Sequence, residues 1–342
     1  MKLSNSAKTI LNDPIRIERR DKWFERLRSL FSGNYSGDAP SISGICGYPR
    51  DGKLVYSCPE QWVVESLENL AEKIDRYDDE AHFVPHCIQL DLFGVHYVDS
   101  FFGAHVYYNN EAFQWYNDYL TGDIGSLSFP DFEQHEAWDI SKRAVQAFLE
   151  QEVALPVFGL PTISSALNIA VNLYGQKILL EMMLEPDNAA HDFMVINKLL
   201  VELHSRFRSA LGEKQLQPVL PWERGQPPGY GQLCGCSSQL LGADLYRDFI
   251  APLDNELLGV YPHGGMIHLC GSHRQLIPVF RSMQNLKTVQ VNDDAARDLE
   301  PYFTGLREDQ IIYYMPCEGM PVEKALLITG GKRLVIQDKV SF

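Results

Sequence analysis

The chain has 342 residues, 45% of them hydrophobic, so it can bury a large core and is not disordered as a whole. Its formal net charge is -15, from 45 acidic against 30 basic residues. That balance, with no basic stripe, argues against nucleic acid and against an anionic membrane surface as partners.

No stretch approaches the roughly 18 uninterrupted apolar residues of a membrane span. Residues 1–20 carry five basic side chains and no apolar core segment, which does not fit a secretory signal. The seven cysteines are an odd number in a chain too long to be a small disulfide scaffold. They point to a reducing, cytoplasmic setting in which thiols act as ligands, nucleophiles or core filler.

Residues 14–31 place apolar side chains at helical spacing among many charges, which predicts an amphipathic helix. A Gly/Ser/Asp loop follows, and residues 41–48 read as a first buried strand. Cys58-Pro59 opens a helix over 60–77. Residues 83–108 are rich in aromatics and histidine, and Asp91 closes a strand in Ile88-Gln89-Leu90-Asp91. His82, His86, His96 and His105 flank it without a sharp metal spacing and read as loop or packing residues. The stretch 109–132 is irregular and aromatic, suited to a surface excursion over a pocket mouth; its aromatics at 113–119 read as a packed lid.

A helix over 138–151 leads to a strand at 154–158, broken by Gly159-Leu160-Pro161. One helix is predicted over 164–184 and another from Pro186 to about 211. Residues 218–235 are rich in Pro, Gly, Trp and Tyr and hold a strand near Gln232-Leu233-Cys234. Trp222 and Tyr230 in this segment are candidate substrate-binding residues on a pocket wall. Further strands are expected at 266–270, 287–292, 311–315 and 333–336, with helices at 245–258, 273–283, from about 294, and at 322–327.

Strands and helices alternate, and the strands are short apolar runs, as in a parallel sheet buried on both faces. About eight such units predict a single (β/α)8 TIM barrel spanning 1–342, with residues 1–40 as an N-terminal helical extension. A doubly wound fold would need a phosphate-binding glycine fingerprint, and Gly44-Ile45-Cys46-Gly47 is too short to be one. Barrel enzymes carry their chemistry at the C-terminal ends of the strands. The polar and thiol residues there are Asp91, Cys234 or Cys236, His268 with Cys270, Asn292-Asp293, and Cys317.

The sharpest of these is Gly264-Gly265-Met266-Ile267-His268-Leu269-Cys270-Gly271-Ser272. In a strand, positions i and i+2 share a face, so His268 and Cys270 can reach one soft, tetrahedral ion, zinc being the usual one. The competing reading is a buried His beside a buried Cys, both filling core space.

The order of motifs resembles the uroporphyrinogen decarboxylase superfamily from roughly Gln89 to the C-terminus. It is carried by Ile88-Gln89-Leu90-Asp91 with Phe101-Phe102-Gly103, by Gly159-Leu160-Pro161 before a helix with Tyr174-Gly175, and by the turn at Glu185-Pro186. Leu245-Tyr246-Arg247-Asp248-Phe249 and His268-Leu269-Cys270-Gly271 complete it. The resemblance implies one of two chemistries. Zinc-dependent methyltransferases of this superfamily move a methyl group from a methylated corrinoid to a thiol, with a His-x-Cys pair and a distant second Cys. True uroporphyrinogen decarboxylases need no metal and use an Asp toward a tetrapyrrole, with N-terminal arginines for its acidic arms.

Asp91 falls where the decarboxylase Asp would, but residues 41–49 offer no Arg and Arg50 stands alone. A polyacid site without clustered cations is electrostatically wrong. The methyltransferase branch is therefore favoured, with His268 and Cys270 as zinc ligands. The last strand lacks the second Cys. Cys317, one strand earlier, is the nearest substitute, and Cys236 or Asp293 are further candidates to hold metal or substrate. The resemblance also implies methylcobalamin or another corrinoid as donor, a small thiol as acceptor, and a separate corrinoid protein as partner. Alternatives left open are a metal-independent decarboxylase centred on Asp91 and a non-catalytic corrinoid-binding barrel.

Overall fold

The computed structural model describes residues 1–74, 83–218 and 220–337, without the side chains of Pro221 and Trp222. His82 and the end of the helix expected over 60–77 lie outside the described residues. The chain is mixed α/β with parallel strands separated by helices. The first strand is split into β1 (Ser41–Ile42) and β2 (Ile45–Gly47), and β3 (His86–Gln89) follows a helix over Pro59–Ile74. A hairpin of β4 (Val106–Asn109) and β5 (Gln114–Asn117) is antiparallel and stands apart. Next come β6 (Val157–Gly159), β7 (Leu216–Gln217), β8 (Gly231–Cys234) and β9 (Gly265–Leu269). The chain ends with β10 (Leu286–Val291), β11 (Ile311–Tyr314) and β12 (Leu334–Gln337).

Two parallel sheets result, ordered β1-β12-β11-β10-β9-β8 and β2-β3-β6-β7. The continuous run from β1 to β2 and a parallel bridge between Ile42 and Phe83 join them on one side. Among the described residues no ladder joins β7 to β8. There the side chain of Gln226 spans the gap: its Nε2 donates to the Gly231 carbonyl at 2.9 Å, and its backbone exchanges hydrogen bonds of 2.8 and 3.1 Å with the Gln217 side chain. Ile42, Phe83, Cys87 and Val157 meet Met266, Tyr313 and Val335 in one buried cluster, so both sheets share an interior.

The helix over Pro14–Phe31 covers that cluster. Asp13 caps it by accepting from the Ile15 N–H at 2.9 Å, with Pro14 in the first turn. Trp23, Phe24, Leu27 and Leu30 lie on the face it buries. Each contributes roughly 1.5–3 kcal/mol by leaving water. On the same helix Arg20 is buried and donates to the carbonyls of Ala154 and Leu155. This is how the N-terminal extension is tied to the strands.

Two local expectations change. The single helix over 164–184 is two, Ala166–Tyr174 and Lys177–Leu184, because Gly175 takes a left-handed φ of 64° between them. The irregular aromatic stretch contains the β4–β5 hairpin. Beside β8, the last strand of the larger sheet, Gly264 has φ 74° and a Cβ on Gly265 would overlap the Gly231 carbonyl. Only glycines there let β9 lie close to β8. No helix of the described residues is long and apolar enough to cross a membrane, and all seven cysteines are free.

Outside the strand ends, His204 is buried with its Nδ1 2.7 Å from the Tyr261 hydroxyl. Burial lowers its pKa from 6.5 to about 4. The unfolded chain therefore takes up this proton first as pH falls. The His204 contribution to stability is full above pH 6.5 and is lost between there and about 4, in total roughly 3 kcal/mol. Denaturant unfolding of the native protein should weaken over that window, and the His204→Gln variant should show a flatter profile.

Candidate metal centre

β8 and β9 run parallel with Cys234 in register with His268. Both strands end there, and the next residues turn: the Gly235 N–H donates to the His268 carbonyl at 2.9 Å, and Ser165 donates to the Cys234 carbonyl at 2.9 Å. The turn at Gly235 brings Cys236 back toward the strand ends, while Cys270 follows His268 by the predicted two-residue step. The outcome is four donors in one place. Cys236 Sγ lies 3.5 Å from Cys234 Sγ and 3.3 Å from Cys270 Sγ. Cys270 Sγ lies 3.0 Å from His268 Nε2. The ligand atoms of Cys234, Cys236 and His268 all fall within 4.8 Å of one another.

The imidazole is held in one tautomer. Its Nδ1 faces the amide oxygen of Gln290, an acceptor, so Nδ1 carries the proton and the Nε2 lone pair faces the sulfurs. Gln290 is fixed in turn: its Nε2 donates to Asn292 Oδ1 and to Gln337 Oε1, the latter at 2.7 Å. This is the supporting shell that metal-ligating histidines require. Asn168 reaches the other side, with Nδ2 3.5 Å from Cys234 Sγ and Oδ1 accepting from the Ser237 N–H at 2.9 Å.

Electrostatics favour thiolate. The Cys236 thiol hydrogen bond is the largest influence lowering Cys270, and the Arg224 charge adds to it against the cost of burial. Cys234 is lowered by the same groups. Cys236 is pushed up, because it lies between two sulfurs that carry the charge. The buried Arg224, in a short helix at Pro221–Arg224, places Nη2 3.5 Å from His268 Nε2. It is a fixed positive charge beside this sulfur group.

The other expected site residues lie elsewhere. Cys317, expected as a ligand, is not brought to the cluster: its Sγ is 3.5 Å from the Asp293 carbonyl, in the turn after β11. Asp293 opens the helix after β10 with a left-handed φ of 47° and is likewise not among the four donors. Tyr230 precedes β8, at the opposite end of the strand from Cys234, and packs between Phe31 at 4.7 Å and His263 at 5.3 Å. A residue at the start of a strand cannot line a mouth formed by strand ends. Trp222 is on the Pro221–Arg224 helix, and its side chain lies outside the described residues. Of the histidines near Asp91, His96 binds the buried Asp99 at 2.6 Å and His105 binds the exposed Asp118 at 2.9 Å.

Asp91 does sit at a strand end, that of β3, but in a cleft of its own of about 670 Å³. Tyr48, Tyr56, Trp62, Tyr108 and Trp115 line it with Gln89. Burial against these walls raises the Asp91 carboxyl, while the Gly94 N–H it accepts acts the other way. Phe93 in that turn has a left-handed φ of 56°, uncommon for a bulky residue, and the Tyr56 hydroxyl takes its N–H at 3.0 Å.

No known family profile matches this sequence, and no curated protein matches it. A solved structure does match. A methyltransferase from Methanosarcina mazei superposes with a TM-score of 0.63 over 92% of each chain, at 10% sequence identity. At that identity the likeness establishes a shared fold and leaves the chemistry to be argued from the residues. Cys236 was legible as a candidate. Cys234 carried only the signal of a Cys-Gly-Cys at a strand end, and Arg224, Gln290 and Asn168 carried none.

Proposed function

We propose that this chain is a zinc-dependent methyltransferase of the uroporphyrinogen decarboxylase-like superfamily, moving a methyl group from a methylated corrinoid to a thiol. The observation that carries the reading is the meeting of three thiols with an imidazole whose Nε2 lone pair is turned toward them. The donor set fits zinc, which takes thiolate sulfur and imidazole nitrogen in a tetrahedral arrangement. Cys236 touches both other sulfurs and belongs to any ligand set, with His268 and Cys270 or Cys234. Three protein ligands leave one position for a substrate thiol. A (β/α)8 barrel closed across the β7–β8 gap is part of this proposal; the shared interior of the two sheets and the 0.63 TM-score support it.

Bound zinc would supply Lewis acidity that keeps a substrate thiol deprotonated and nucleophilic at neutral pH. The chain's own residues do the rest. Gln290 holds the His268 ring and its proton at Nδ1, so that Nε2 stays a donor of electrons. Arg224 offsets negative charge among the sulfurs. Asn168 holds the Cys234 sulfur in place through the Ser237 backbone.

The decarboxylase reading has less support. The Asp91 cleft carries Asp51 and Asp91 against Lys53 among its lining residues, which does not suit a polyacid. The test is methyl transfer from methylcobalamin to a small thiol by the zinc-loaded protein, followed by loss of the cobalt–methyl absorbance. Thiol-dependent demethylation that disappears in Cys270→Ala is expected. Absence of any such turnover, with or without a corrinoid protein as donor, would count against the reading.

A further inference from the structure

The Asp91 cleft has no part in the sulfur site, yet it is built for a ligand. Its walls are rings: Tyr56 and Trp115 are 5.6 Å apart, and Tyr108 meets Trp115 edge-on at 5.3 Å. Tyr48 and Trp62 close the sides. Asp91 is crowded by these walls but exposed to the space between them. Among the described residues no basic side chain pairs with it, and the Gly94 N–H is the partner that holds it. Gln89 forms part of the lining and cannot swing away, since its Oε1 accepts from the Leu220 N–H at 3.1 Å and its Nε2 donates to the Leu160 carbonyl.

The chemistry of that lining selects a ligand class. Aromatic faces carry negative quadrupole density and attract cations. An anion would meet both these faces and the carboxylate. A neutral apolar ligand would leave Asp91 desolvated and unmatched. We propose that this cleft binds an organic ammonium ion, its charged head among Tyr56, Tyr108 and Trp115 with Asp91 as counter-ion. The 670 Å³ exceeds a small ammonium head alone, so the head is carried on a larger body. Lys53 in the lining can meet an acidic group on that body.

The cleft and the sulfur cluster are joined by a short piece of chain. Gln89 in the cleft takes the Leu220 N–H, and Arg224, four residues on, reaches His268. Binding in the cleft nonetheless needs no metal, so this proposal does not depend on the one above.

The test uses choline and its neutral carbon analogue, in which a quaternary carbon replaces the nitrogen, titrated into the full-length protein by calorimetry. Saturable choline binding is expected, with the neutral analogue weaker by about tenfold or more. Asp91→Asn, which keeps size and shape, and Trp115→Leu in the hairpin should each weaken choline by about tenfold, with the circular dichroism spectrum unchanged. Equal affinity for the two ligands would overturn the proposal. So would no saturable choline binding by the native protein, or full choline affinity in both folded variants. Zinc content reads the sulfur cluster and choline affinity reads the cleft, so either idea can fail alone.

Discussion

His268→Ala is expected to lower zinc affinity by at least about a hundredfold while leaving the fold in place. Structural zinc sites with four ligands supply roughly 10–16 kcal/mol, so one ligand accounts for about 3 kcal/mol, close to two powers of ten. The fold should survive, because His268 sits at the end of β9 and the strand's packing rests on Met266, Ile267 and Leu269, all fully buried. Removing the imidazole takes the partner from Gln290 Oε1, while its Nε2 keeps its bonds to Asn292 and Gln337. Competition with a metal-binding dye gives the affinity, and circular dichroism checks the fold. Unchanged affinity would show that the sulfurs bind metal without this ring.

A second large effect is expected at Arg224. Its guanidinium is buried beside His268, and its charge favours the thiolate forms of Cys270 and Cys234. In Arg224→Met that charge is lost and the apolar volume is kept. The pH midpoint of thiolate formation in the metal-free protein should rise by up to about 1, less than the Cys236 hydrogen bond lowers it. Ultraviolet thiolate absorbance against pH reads this directly. An unchanged midpoint would assign the low thiol pKa to hydrogen bonding between the sulfurs alone.

Most of the parallel strands were legible because each is a compact apolar run with a turn signal after it; the two-residue β7 and the β4–β5 hairpin were not. Val157–Gly159, Gly231–Cys234, Gly265–Leu269 and Leu286–Val291 all lie close to where periodicity puts them. Helix continuity was less so, since Gly175 inside an apolar helical pattern can be tolerated or can end the helix. At the site, the His268–Cys270 pair follows from strand periodicity alone. Cys317 was expected by strand order, and order does not say how far the turn after β11 carries a side chain. Cys234 and Cys236 were candidates by their place at a strand end, but the bend at Gly235 that turns Cys236 toward Cys270 on the next strand shows only in the structure. Tyr230 was expected on a pocket wall and lies just before β8, at the end away from Cys234, a placement that depends on where the short strand begins. Gln290 and Arg224 act through partners distant in sequence, His268 lying 22 and 44 residues away.

A metal held by these sulfurs and His268 stays with the folded chain when loosely bound metal is removed. The most direct measurement is zinc per chain after reconstitution under reducing conditions and removal of loosely bound metal, for the native protein and for Cys236→Ala. Cys236 is the sulfur that touches both others. About one zinc per native chain and a large loss in the variant are expected. No retained zinc in the native protein, or the same zinc content in both, would contradict this expectation.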